Sequence, residues 1–127
     1  MEPVAAVIVI ALLEYVVFGA LVGRARGLYG VNAPAVSGHE IFERYFRVHQ
    51  NTMELLVAFV PAAWLFGLYV SPAWAAGLGL VFVVGRIVYL LGYVKDPARR
   101  EIGFGLSVLP IVVMLVGVLW GAARSFL

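Results

Sequence analysis

Four apolar stretches, each long enough to cross a bilayer, fill most of this 127-residue chain and leave only short connections between them. Val4 to Val22 is interrupted by Glu14 alone; Leu55 to Val70 is uncharged; Ala73 to Tyr93 contains only Arg86; Ile102 to Ala123 carries no charge. A hydrocarbon core about 30 Å thick is spanned by about 20 helical residues. The chain is therefore predicted to be all-α: one integral membrane four-helix bundle over residues 1–127, with spans at roughly 4–24, 39–70, 73–94 and 97–124. Composition agrees, with 64% hydrophobic and only 13% charged residues at a mean hydropathy of +1.02. Soluble domains carry charge on roughly a quarter of their residues.

No basic segment precedes the first stretch and no small-residue cleavage site is evident before Arg24, so it reads as a retained helix rather than a secretion signal. Ser71-Pro72 marks a tight turn between the second and third spans, because proline cannot continue a helix there. Arg24, Arg26, Arg44 and Arg47 flank the first connection and Lys95, Arg99 and Arg100 the third, whereas the second has no basic residue. Positive-inside bias then places both basic connections in the cytoplasm and both termini outside. The same bias accounts for a pI of about 9.2 at a net charge of only +2, and no basic stripe or aromatic module points to nucleic acid. There is no cysteine, so disulfides, thiolate metal sites and a cysteine nucleophile are excluded. His39 and His49 are the only histidines and lack metal-ligand spacing, so no metal is expected.

Ionised residues interrupt this apolar chain in two patches, from Glu40 to Glu54 and from Arg86 to Arg100. Charge at membrane depth is retained where it faces a partner, a cavity or a ligand. At about 100° per residue, Asn51 and Glu54 fall within about 40° of Arg47, and Glu43 lies on the same side. His49 points about 200° away from Arg47. One helix thus shows polar groups on opposite faces, which predicts an oligomer with a site between subunits. Arg86, Tyr89 and Tyr93 stand at i, i+3 and i+7 and share a face. Counting residues from each basic connection puts Glu54 and Arg86 at similar depth, so the two are expected to form a structural ion pair. Asp96 before Pro97 has the order of an N-cap and a first-turn proline, which would start the fourth helix and place Arg100 in its first turn, where amides and dipole favour an anion. Gly117 and Gly121 form a small-xxx-small pair suited to packing between subunits. Glu14 reads as a buried ion-pair or hydrogen-bond partner with no partner assigned, or, with the four short spans, as the mark of a small proton-coupled multidrug transporter.

The runs FERYFRVHQNTMELL and GRIVYLLGYVKDPARREIGFGLS resemble those of the membrane-associated proteins in eicosanoid and glutathione metabolism, the MAPEG family, in its branch of microsomal glutathione transferases and leukotriene C4 synthases. The likeness covers nearly the whole chain. It implies a trimer of four-helix subunits with glutathione bound between neighbours near the cytosolic face. Carried over by position, it implies that Arg47, Asn51, Glu54, Tyr89 and Tyr93 bind glutathione, that Arg26 and His49 reach in from the adjacent subunit, and that Arg100 activates the thiol. The implied partners are glutathione as co-substrate, a lipophilic small molecule and membrane lipid. Leu55 departs from the tyrosine of leukotriene C4 synthase, and His49 replaces its glutamine. The implied activity is a glutathione transferase, peroxidase or isomerase, with a non-catalytic lipid-binding relative as the alternative. Minimal connections and the lack of a retention signal point to a bacterial inner membrane.

Overall fold

Serine and proline set the boundaries between helices much as their chemistry dictates. In the computed structural model, which describes residues 1–127, α1 runs from Glu2 to Tyr29, α2 from Glu40 to Tyr69, α3 from Pro72 to Lys95 and α4 from Glu101 to Phe126. Ser71 caps α3, its Oγ accepting the Trp74 N–H at 3.3 Å, and Pro72 sits in the first turn, where a missing N–H costs nothing. Helix α1 outlasts its apolar run because Arg24 and Arg26 are good helix formers, and it ends at Gly30, whose N–H returns to the Arg26 carbonyl. All four helices are long and apolar enough to cross a membrane. At about 1.5 Å per residue, even the 24 residues of α3 extend about 36 Å.

The start of α4 departs from the sequence expectation. Asp96 does act as a cap, its Oδ1 accepting the Ala98 N–H at 3.1 Å, but of a 3-10 turn over Pro97–Arg99. The Arg99 N–H bonds the Asp96 carbonyl at 2.8 Å, closing the tighter i to i+3 ring, and α4 begins only at Glu101. Arg100 therefore occupies the junction as the N-cap residue of α4 rather than a place in its first turn.

Helices α2 and α3 each pack against every other helix, which leaves α1 and α4 on the flanks. Val4, Ala11, Phe59, Phe82 and Met114 are buried in the centre, with the Phe59 and Phe82 rings stacked at 4.1 Å and 8°. Only 29 of 127 residues are buried, and Val57, Trp74 and Leu119 are at least 70% exposed, so the outer surface is one that lipid rather than water covers. Where apolar burial supplies no drive between helices, close van der Waals approach must hold them together. It does so between α3 and α4. A Cβ on Gly85 would stand 2.8 Å from the Leu106 carbonyl carbon, and one on Gly103 would overlap the backbone of Tyr89. The missing side chains let the two backbones touch. Gly117 and Gly121 act in the same way within the chain: a Cβ on Gly117 would come 2.6 Å from the Phe66 ring, and one on Gly121 3.0 Å from the Tyr69 carbonyl oxygen. Both glycines receive the end of α2 of their own chain, so the close helix packing they permit is made within the subunit.

Candidate functional site

The polar stripe of α2 and one face of α3 meet in a cleft at the end of the bundle that carries the basic connections. It has a volume of about 280 Å³ and is lined by Arg47, Gln50, Asn51 and Glu54 from α2, Tyr89 and Tyr93 from α3, and Arg100 from the α3–α4 junction. The helical period explains the α2 members, which stand at i, i+3, i+4 and i+7. Close α3–α4 packing explains the rest: Gly103 lies against Tyr89, and the 3-10 turn folds against the end of α3 with Arg99 beside Gly92, which leaves Arg100 at the cleft. A second depression of about 250 Å³, lined by Glu40, Glu43, Arg44, Arg47, Tyr93 and Pro97, continues the cleft outward through the shared Arg47 and Tyr93. Two guanidinium groups, a carboxylate, two phenols and two amides thus converge on one space. That set suits a zwitterionic ligand with more than one carboxylate. Other hollows are as large or larger, but the one bounded by Tyr69, Trp120 and Arg124 holds a single charge, and the groove over Phe66 and Val113 is apolar.

Arg86 does not pair with Glu54, and the expected ion pair is corrected by the structure. The Arg86 side chain is wholly buried between α2, α3 and α4. Its Nε donates to Ser107 Oγ at 2.9 Å, and its Nη1 to Asn51 Oδ1 at 2.7 Å and Thr52 Oγ1 at 3.2 Å. The guanidinium also stacks over the Tyr89 ring at 4.4 Å. Glu54 instead faces the open cleft and is exposed in the single chain. Equal depth was not enough: Arg86 turns to Asn51, Thr52 and Ser107, while Glu54 stays on the open side of the cleft.

Arg44, in the middle of the first ionised patch, is occupied by the fold. Its Nη1 donates to the carbonyls of Val94 at 2.9 Å and Lys95 at 3.3 Å, and its Nη2 pairs with Glu40 at 2.6 Å. A cation on the unpaired carbonyls of a helix C-terminus satisfies orphan acceptors and the dipole together. It fixes the start of α2 to the end of α3 at the mouth of the cleft. Arg44→Ala is expected to lower stability by about 1–2 kcal/mol, the worth of charge-assisted hydrogen bonds at a partly exposed site. Thermal unfolding in detergent measures this.

Arg26 and His49 lie outside the cleft of their own chain. Arg26 donates to the Ala35 carbonyl at 2.7 Å and covers the Phe42 ring at 4.9 Å, bracing the first connection. His49 stacks on Tyr15 of α1 at 4.3 Å and 15°, with Gly19 leaving room for the imidazole. The face of α2 that the sequence assigned to a neighbour is thus covered by α1 of the same chain. The opposite face, with Arg47, Gln50 and Glu54, is the one left exposed. Gln50 was missed although it stands three residues after Arg47, on the stripe already drawn. Thr52 and Ser107 were missed because nothing in their sequence surroundings marks a hydroxyl as the acceptor for a guanidinium on another helix.

Comparison with known proteins bears directly on this site. The sequence profile of the MAPEG family matches residues 4–120. The chain is 46% identical over 110 residues to an uncharacterized protein of Synechocystis, covering 87% of this chain and 80% of that one. It is 40% identical over 124 residues to human microsomal glutathione S-transferase 2, covering 97% and 84% of the two chains. Leukotriene C4 synthase of Cavia porcellus is 32% identical over 96 residues, covering 76% and 64%. With four membrane-length helices in place and the family profile spanning nearly all of them, the chain belongs to the MAPEG family.

Proposed function

We propose that this protein is a membrane glutathione transferase that ionises the glutathione thiol in the α2–α3 cleft and delivers it to a lipophilic electrophile. The observation that supports this most strongly is the convergence of Arg47, Asn51, Glu54, Tyr89, Tyr93 and Arg100 from three parts of the chain on one space. The transferase and synthase names of its relatives agree with it. Glutathione offers two carboxylates, which Arg47 complements at the mouth, and an ammonium, which suits Glu54. Asn51 and the tyrosine hydroxyls serve its amides and thiol.

Arg100 is assigned to the thiol. Its guanidinium stands at the N-cap of α4, anchored by an Nη1–H donated to the Pro97 carbonyl at 3.2 Å, where the positive end of the helix adds to its charge. A free thiol near pKa 8.5 is ionised by only a few per cent at neutral pH, and an adjacent cation lowers that value. The thiolate then forms a carbon–sulfur bond while the electrophile's leaving group departs with its electron pair. With a hydroperoxide, sulfur attacks oxygen and a second glutathione completes the reduction to alcohol and disulfide.

The exposed side of the cleft carries Glu54 some 14 residues into a membrane helix, about 21 Å along its axis, where lipid would be a poor neighbour. This supports a homotrimer in which the adjacent subunit closes the cleft, with the site facing the cytoplasm where glutathione is supplied. Glutathione titrated into purified protein by calorimetry, followed by conjugation to an aromatic halide, tests the reading. Binding with turnover is expected. A protein that takes up apolar ligand but no glutathione would instead be a non-catalytic lipid-binding relative. Glu54→Gln, which removes the partner of the ammonium, is expected to weaken glutathione binding about tenfold, as read from the same titration.

A further inference from the structure

We propose that Glu14 is the buried counter-ion of Arg86 and, through Arg86, fixes the Asn51 amide so that it meets glutathione as a hydrogen-bond donor. The inference rests on the cleft being a glutathione site, and makes Glu14 and Arg86 positioning residues for it.

Arg86 has no exposed surface and stands in the middle of a membrane span, where a guanidinium without a compensating charge is costly. Its Nη2 is buried with no hydrogen-bond partner. On the facing helix, Glu14 is 9% exposed and both its carboxylate oxygens are also buried without a partner. Glu14 lies on α1, which packs against α3, whereas Glu54 is turned to the open cleft. The two groups are not within the 4.0 Å of a direct ion pair. One water or one side-chain rotation between them would satisfy all three orphaned atoms. An acid and a guanidinium, both orphaned on packed helices, call for one explanation rather than two.

The other side of Arg86 is wired in one direction only. Ser107 gives its proton to the Gly103 carbonyl at 2.7 Å and Thr52 gives its own to the Val48 carbonyl at 2.8 Å, so both hydroxyls can only accept from Arg86. A guanidinium has donors and no acceptor, so the Asn51 oxygen must face Arg86. The Asn51 NH2 is thereby left to the cleft, where it can donate to a carbonyl or carboxylate of the peptide but cannot accept from its N–H groups. Loss of the Glu14 charge leaves the buried Arg86 guanidinium without a compensating carboxylate, and the hold on Asn51 relaxes.

The test uses full-length protein in nanodiscs, carrying Glu14→Gln, Glu14→Asp, Glu14→Leu, Arg86→Leu and the double Glu14→Leu, Arg86→Leu. Glu14→Gln keeps size and hydrogen-bonding capacity but removes the charge. It is expected to raise the KM for glutathione about tenfold, with kcat at saturating glutathione changed by less than about twofold. Glu14→Asp should recover most of that loss, which a merely space-filling role would not produce. Each leucine single should lower the unfolding midpoint, and the double should unfold at a higher temperature than either, because it leaves no lone charge. Glutathione KM unchanged in Glu14→Gln overturns the positioning role. A double variant whose loss of stability equals the sum of the singles overturns the pairing. Failure of the unaltered protein to bind glutathione would remove the glutathione reading, while the stability cycle would still decide whether Glu14 and Arg86 are paired.

Discussion

Arg100→Ala is expected to keep most of the protein's affinity for glutathione and to lose ten- to hundredfold in turnover. In the proposed binding mode Arg47, Asn51, Glu54 and Tyr93 would hold the peptide from α2 and α3, whereas Arg100 comes from the α3–α4 junction and carries no contact that the bundle needs beyond its own 3.2 Å bond to the Pro97 carbonyl. Its removal should therefore leave the cleft in shape. A charge-assisted interaction worth about 1.5–3 kcal/mol, made to the thiolate and not to the thiol, corresponds to roughly that loss of rate. The sign of the pH dependence follows. Without the guanidinium the thiol ionises near its free value of about 8.5, so the variant should regain activity as pH rises from 7 to 9 while the unaltered enzyme changes little. Steady-state kinetics across that range would check it. An equal loss at every pH would move the role to Tyr93.

Gly103→Val should be the most damaging single change away from the cleft. A Cβ at this position overlaps the Tyr89 backbone, so α3 and α4 must separate, and overpacking of this kind costs about 1–3 kcal/mol or more. Separation also pulls Ser107 from Arg86 and shifts Tyr89 and Arg100 relative to α2. Both the unfolding midpoint and glutathione binding are expected to fall. Gly105→Ala, two residues further along, meets nothing within 4 Å and should be tolerated. Equal stability of the two variants would show that contact between the α3 and α4 backbones is not what shapes the site.

The α2 stripe was legible because a helix of known period turns spacing into direction: Arg47, Asn51 and Glu54 line one cleft as the 100° rotation requires. Arg100 was marked as an anion site by the Asp96-Pro97 signal and given to the thiol by the resemblance to the family, but its place at the cleft depends on a 3-10 turn that spacing alone does not reveal. Depth was less informative than direction. Glu54 and Arg86 were matched by counting residues from the membrane edge, yet the partners of Arg86 are an amide and hydroxyls of Asn51, Thr52 and Ser107, and the buried acid left without a partner lies on α1. Glu14 could not be read because a single acid in an apolar helix has no neighbour in its own register to announce its partner. His49 illustrates the same limit. Its direction was right, but only the packed fold shows Tyr15 and Gly19 of α1 covering it.

Titrating the ultraviolet thiolate absorbance of glutathione held on the protein against pH decides whether this cleft binds glutathione as a thiolate. An apparent pKa at least one unit below the free value of about 8.5 is expected, with that depression lost in Arg100→Ala while glutathione stays bound. Bound glutathione that ionises near 8.5 in both proteins would contradict it.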